Sequence, residues 1–186
     1  GWDTYGGGIL VHSNDTLNLN NLLIKNNYAY YGGGGIAAIG GNVIINNCII
    51  HDNTVETVTS EVTYAGGLFS QTPTVVTNSL FYNNSGRGSS HIYSKGSELS
   101  LINNTVVSET WEHTIVGWMS NILIQNSIIH TNQDGQPGIS AQSANIVVEH
   151  SLLNFDYPGD SNINADPLFV DMDLDNYMLS KFSPGI

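Results

Sequence analysis

Short runs of three to five aliphatic or β-branched residues recur along the chain, each broken by glycine or asparagine. Such runs are too short for ordinary helices, and their β-branched content favours strands. Six segments align: LNNLLIKNN (19–27), INNCIIHDN (45–53), VTNSLFYNN (76–84), INNTVVSET (102–110), IQNSIIHTN (124–132) and VEHSLLNFD (148–156). Their third positions are Asn21, Asn47, Asn78, Asn104, Asn126 and His150, spaced by 26, 31, 26, 22 and 24 residues. A second register opens each unit with GGIL, GGIAA, GGLFS, SHIYS, TIVGW and PGISA, whose apolar members are Ile9, Ile36, Leu68, Ile92, Val116 and Ile139. Two columns that keep step over six units mark a true repeat.

A 22–31-residue unit with three short strands is one coil of a solenoid whose coils pair only with their neighbours. The expected fold is all-β: a right-handed parallel β-helix of about six coils over residues 1–156, with residues 157–186 closing the same domain. Two apolar columns should face inward. One is Leu19, Ile45, Val76, Ile102, Ile124 and Val148; the other is Ile24, Ile50, Phe81, Val107, Ile129 and Leu153. Their odd separation breaks the two-residue pleat, so the chain must bend between them. The bend falls at the asparagine, which tolerates left-handed backbone. Asn21, Asn47, Asn78, Asn104 and Asn126 are read as a buried structural ladder of stacked amides. Asn27, Asn53, Asn84, Asn132 and Asp156 form a second polar column. Cys48 sits among small or apolar residues and reads as an inert buried thiol.

Composition narrows the function. Four Lys and Arg stand against 16 Asp and Glu, a formal net charge of -12. That excess argues against nucleic acid or an anionic membrane surface. No apolar run is long enough to span a bilayer as a helix. One cysteine excludes an internal disulfide framework. Gly1 is not a natural start, so the chain reads as a processed or excised piece.

The stretch NNYAYYGGGGIAAIGGNVIINNCIIHDN (26–53) is similar to repeats of bacterial surface proteins in the right-handed parallel β-helix superfamily. It looks especially like the Gly-Gly-Ile and Asn-Cys units of polymorphic-outer-membrane-protein-type repeats. The tail ADPLFVDMDLDNYMLSKFSPGI (165–186) resembles the closing segment of secreted β-helix proteins. The resemblance implies an extracellular or cell-surface protein. It does not choose between pectate-lyase-like enzymes, adhesins and passive stalks, because one fold hosts many functions.

Two function classes follow: a structural or adhesive module, such as a stalk or filament subunit, and a polysaccharide-binding or lyase-like enzyme. In the lyase reading Arg87 or Lys95 neutralises a uronate and His91 or Tyr93 acts as base. Asp52 and Glu109 lie two coils apart, about 9.6 Å, within the roughly 5–10 Å that glycoside hydrolysis uses, but nothing else supports that pair. Phe69, Tyr93, Trp111 and Trp118 are expected as outward aromatic contacts for sugar rings. His51 and His130 share a column three coils apart, too far for one metal. Asp171, Asp173 and Asp175 have the alternate spacing of a calcium loop, without its glycine or distal glutamate. No cofactor is expected beyond a weakly held calcium ion there. Expected partners are upstream coils, a second copy docked head to tail, or a surface polysaccharide. The segment Thr54–Tyr64 reads as an insertion that lines a binding face or is merely tolerated.

Overall fold

The computed structural model describes residues 5–56, 64–132 and 138–186, and every regular element in them is a strand. Most of the Thr54–Tyr64 insertion therefore lies outside the described residues, as do residues 1–4. Each coil contributes strands to three sheets, each pairing in parallel with its counterpart one coil away, and the first two coils add a short parallel pair, Tyr28–Ala29 with Thr54–Val55. The first sheet stacks Ile9–Val11, Ile36–Ala38, Leu68–Ser70, Ile92–Lys95, Ile115–Trp118 and Ile139–Gln142. The second stacks Thr16–Asn20, Asn42–Asn46, Thr74–Thr77, Glu98–Ile102, Asn121–Gln125 and Asn145–Glu149. The third stacks Leu23–Lys25, Ile49–His51, Leu80–Tyr82, Thr105–Ser108, Ile128–Thr131, Leu152–Leu153 and Ile163–Asn164. This last strand carries the stack past residue 156.

One continuous core runs down the axis, built from the inward residues of all three sheets. Stacking like on like fills it. Ile9, Ile36, Leu68, Ile92, Ile115 and Ile139 form one column. Leu19, Ile45, Val76, Leu101, Ile124 and Val148 form the second. Ile24, Ile50, Phe81, Val106, Ile129 and Leu153 form the third.

These registers correct the expected columns at three places. Leu101 and Val106 replace Ile102 and Val107, and Ile115 replaces Val116. On the fourth coil the tripeptide Ile102-Asn103-Asn104 offers two asparagines, and the one in the column is Asn103. The left-handed residues at this corner are Asn21, Asn47, Asn78, Asn103, Asn126 and His150, all with φ between 49 and 58°. They point to solvent rather than into the core. A two-residue turn from the second to the third sheet needs one left-handed residue, and asparagine adopts that conformation at the least cost among residues with a side chain.

The tail ends in an antiparallel hairpin, Phe169–Asp171 with Asn176–Leu179. It does not cap the last coil. It folds back along the flank of the third sheet, where Tyr177 packs with Tyr82, Leu80 and Val107.

Candidate functional site

Two asparagine systems run along the stack, and they do different things. The outward one hydrogen-bonds from coil to coil: Asn47 Nδ2 donates to Asn21 Oδ1 at 2.6 Å, and Asn103 Nδ2 to Asn78 Oδ1 at 3.4 Å. The inward one lies at the corner between the third and first sheets. Asn27 donates to Asn53 Oδ1 at 2.9 Å, and Asn53 to Asn84 Oδ1 at 3.0 Å, with Asn53 and Asn84 fully buried. Their remaining amide protons go to backbone carbonyls, Asn53 to Ile24 and Asn84 to Ile50. No side-chain donor of Asn53 or Asn84 is left without a partner, as buried amides require.

This inward ladder ends at His91. On the third coil Gly67 leaves room for the Asn84 amide, 3.3 Å from where a Cβ would stand. One coil on, Leu68 pairs with Ile92, so the residue beyond Gly67 is His91. Its Nδ1 accepts from Asn84 Nδ2 at 3.1 Å. Burial drives the His91 pKa down to about 3, against a smaller opposing pull from the Val107 backbone. His91 is therefore a neutral core residue at the end of a ladder.

From the second coil on, a third set of inward groups follows the left-handed residue at the corner between the second and third sheets. Ser79 Oγ accepts from the Cys48 amide, Asn104 Oδ1 from Ser79, Ser127 Oγ from Asn104, and Ser151 Oγ from Ser127. Asn104 thus belongs to this serine column, fully inside, and Cys48 is a buried free thiol at its start.

The lyase quartet is not assembled. His91 faces the interior, whereas Tyr93 lies on the outer side of the first sheet under other rings. Burial, then Tyr64, pushes the Tyr93 hydroxyl up to about 12. Lys95 Nζ donates to the Tyr64 hydroxyl at 2.6 Å and sits over the rings of Tyr64 and Trp118. Arg87 is exposed; burial raises the pKa of nearby Glu112, with His113 and then Arg87 opposing. Asp52 bonds His51 Nδ1 at 2.6 Å, and Glu109 is exposed.

The aromatic candidates also separate. Phe69 and Tyr93 are neighbours in register, as expected, with ring centroids 6.2 Å apart. They are not exposed, because Tyr64 stacks on Phe69 at 4.4 Å and Tyr5 at 5.5 Å. Trp118 borders this cluster, and Trp111 is 91% exposed in a turn. Aromatic side chains here form a second, outer core rather than an open platform.

What the fold does open is a groove of about 490 Å³ between the flank hairpin and the third sheet. Asn47, Asn78 and Asn103 line one side, repeating once per coil. Ile49, Leu80 and Met178 supply apolar surface, and Asp175 lies at the hairpin edge. Asp175 Oδ1 accepts from Asn83 Nδ2 at 3.3 Å and from the Tyr177 hydroxyl at 3.2 Å, which pins the hairpin to the third coil. The three tail aspartates do not converge. Asp171 accepts from the Leu174 amide in the hairpin turn, and among the described residues no three His, Cys, Asp or Glu side chains gather as a metal cage. Sequence reasoning missed the groove because a side-docked hairpin leaves no repeat. A signal for its amide wall was available on three coils, where the outward asparagine precedes a small inward residue: Asn47-Cys48, Asn78-Ser79 and Asn126-Ser127.

No described helix is long and apolar enough to cross a membrane. No curated protein and no solved structure matches the chain. The family described as right-handed β-helix region matches residues 3–119, the part that contains the first five coils' opening strands and the whole inward asparagine ladder. On that match and the three-sheet parallel stack, the chain belongs to the right-handed β-helix family.

Proposed function

We propose that the chain is a rigid, non-catalytic module of structural or adhesive kind, carried on a cell surface. The observation that supports this reading is the fate of the only basic cluster. His91 is sealed at the end of an internal ladder, Tyr93 is covered, and Lys95 is spent on Tyr64 and Trp118. General acid–base chemistry needs groups within reach of a substrate proton, and neither candidate base has that access. Antibody labelling of intact cells of the source organism tests the location: labelling without permeabilisation is expected, and signal only after permeabilisation would contradict it.

The groove favours a second reading, in which the module holds an extended neutral polysaccharide. Its amide rungs recur at the coil spacing of about 4.8 Å, close to the repeat of an extended pyranose chain. Asn47 bonds Asn21 and Asn103 bonds Asn78, while Asn78 donates to Asn46, and each of these amides keeps further donor or acceptor capacity. Ile49, Leu80 and Met178 suit the C–H face of a sugar, whereas Asp175 and the net charge of -12 oppose a uronate. Affinity electrophoresis in gels carrying neutral or acidic polysaccharides decides it. Retardation by neutral chains, weakened by Asn78→Leu, is expected; equal mobility in all gels removes the reading.

A further inference from the structure

The flank hairpin rests on one column of the third sheet: His51, Tyr82, Val107 and His130, in register. His51 stacks flat on Tyr82 at 4.4 Å, and Tyr177 of the hairpin tilts onto Tyr82 at 5.1 Å. At the other end Phe169 stands edge-on to His130 at 5.9 Å and to Tyr177 at 5.5 Å. His130 is buried, and its Nδ1 has no hydrogen-bond partner. Its neighbour on the sheet, Val107, is uncharged, and Asn154 follows on the next coil. From the tail, Asp166 is the one carboxylate that acts on it. The hairpin brings Tyr177, a phenol that burial, Asp175 and Glu109 keep neutral, and the carboxylates Asp171, Asp173 and Asp175, none of which acts on His130 as Asp166 does. A proton on His130 would thus sit under an apolar ring with a single, partial counter-charge.

We propose that the hairpin is a pH-gated strap, seated on the third sheet while His130 is neutral and lifted when His130 takes a proton. The strap does not depend on the function argued above, although its Asp175–Met178 edge forms one wall of the groove, so lifting it dismantles that groove. Burial holds the seated imidazole below its ordinary value of 6.5, with Asp166 opposing. In the lifted state the ring meets water and titrates near that ordinary value. Seating is therefore strongest above pH 6.5 and weakens as pH falls, by up to about tenfold per pH unit until the seated value is passed.

Hydrogen exchange of residues 166–182, corrected for the intrinsic rate, tests the gate between about pH 7.5 and about pH 5.5. Strap amides should exchange faster at the lower pH, by up to about tenfold, while the Ile45 and Ile124 strands keep their protection. In His130→Leu, which cannot charge, strap exchange should be slow at both pH values. Should that variant not fold, Tyr177→Ala replaces it, with strap exchange fast and independent of pH. A wild-type strap that ignores pH, or one whose acceleration survives in His130→Leu or in Tyr177→Ala, overturns the gate.

Discussion

At the residue scale, asparagine carries two distinct tasks that look alike in the sequence. Asn78 turns the chain and faces water; Asn53 is sealed inside and satisfies three neighbours. Replacing Asn53 by alanine leaves the Ile24 carbonyl and the Asn27 donors unpaired, at a cost of about 2–4 kcal/mol. Asn78→Gly keeps the left-handed turn and should cost under about 1 kcal/mol. Urea midpoints of the two variants check the contrast. His91 yields a pH prediction. Its folded value of about 3 lies below the ordinary 6.5, so its contribution is complete above pH 6.5 and is lost as pH falls. Stability should drop by roughly 1.4 kcal/mol per pH unit below that point. His91→Gln, which can still accept from Asn84, should show a shallower fall when urea midpoints are taken at neutral and acidic pH. The turn position was legible in the Asn repeat, but its exposure was not: the column reads as a buried ladder in the sequence, and its members face water. Its membership at Asn103 was not legible either, because two adjacent asparagines fit one template and only the inward bond of Asn104 to the Ser79 amide separates them.

At the scale of elements, the coil was legible and the tail was not. Three short apolar runs per repeat specify three strands, and the stacking of like residues fixes their register. The Gly-Gly pairs that open the early coils have a steric reason. At Gly34 a Cβ would stand 2.6 Å from both the Gly66 and Thr54 carbonyl oxygens. Those contacts are backbone and cannot swing aside, so Gly34→Ala should cost more than about 2 kcal/mol in denaturant unfolding. A near-neutral result would mean that the coils are spaced more loosely there than the pairing describes. The outer aromatic cluster was misread because period-2 alternation puts Phe69 and Tyr93 outside the helix. Alternation is blind to a covering layer supplied by Tyr5 and Tyr64 from other parts of the chain. The flank hairpin escaped for a related reason: its Asn176–Leu179 strand alternates like any edge strand, and nothing local names the surface it joins.

At the scale of the molecule, identical layers give a stiff rod whose sides differ. One flank is sealed by rings, one by the hairpin, and the outward amides run beside the groove. On the proposed function, such a stack serves by its shape and surface rather than by turnover. The direct test is to incubate the purified chain with acidic and neutral polysaccharides and to follow unsaturated products by ultraviolet absorbance and new reducing ends chemically. No product above that of buffer is expected, with or without added calcium. Turnover that disappears in Arg87→Ala or Lys95→Ala would contradict it and restore the basic cluster as a catalytic centre.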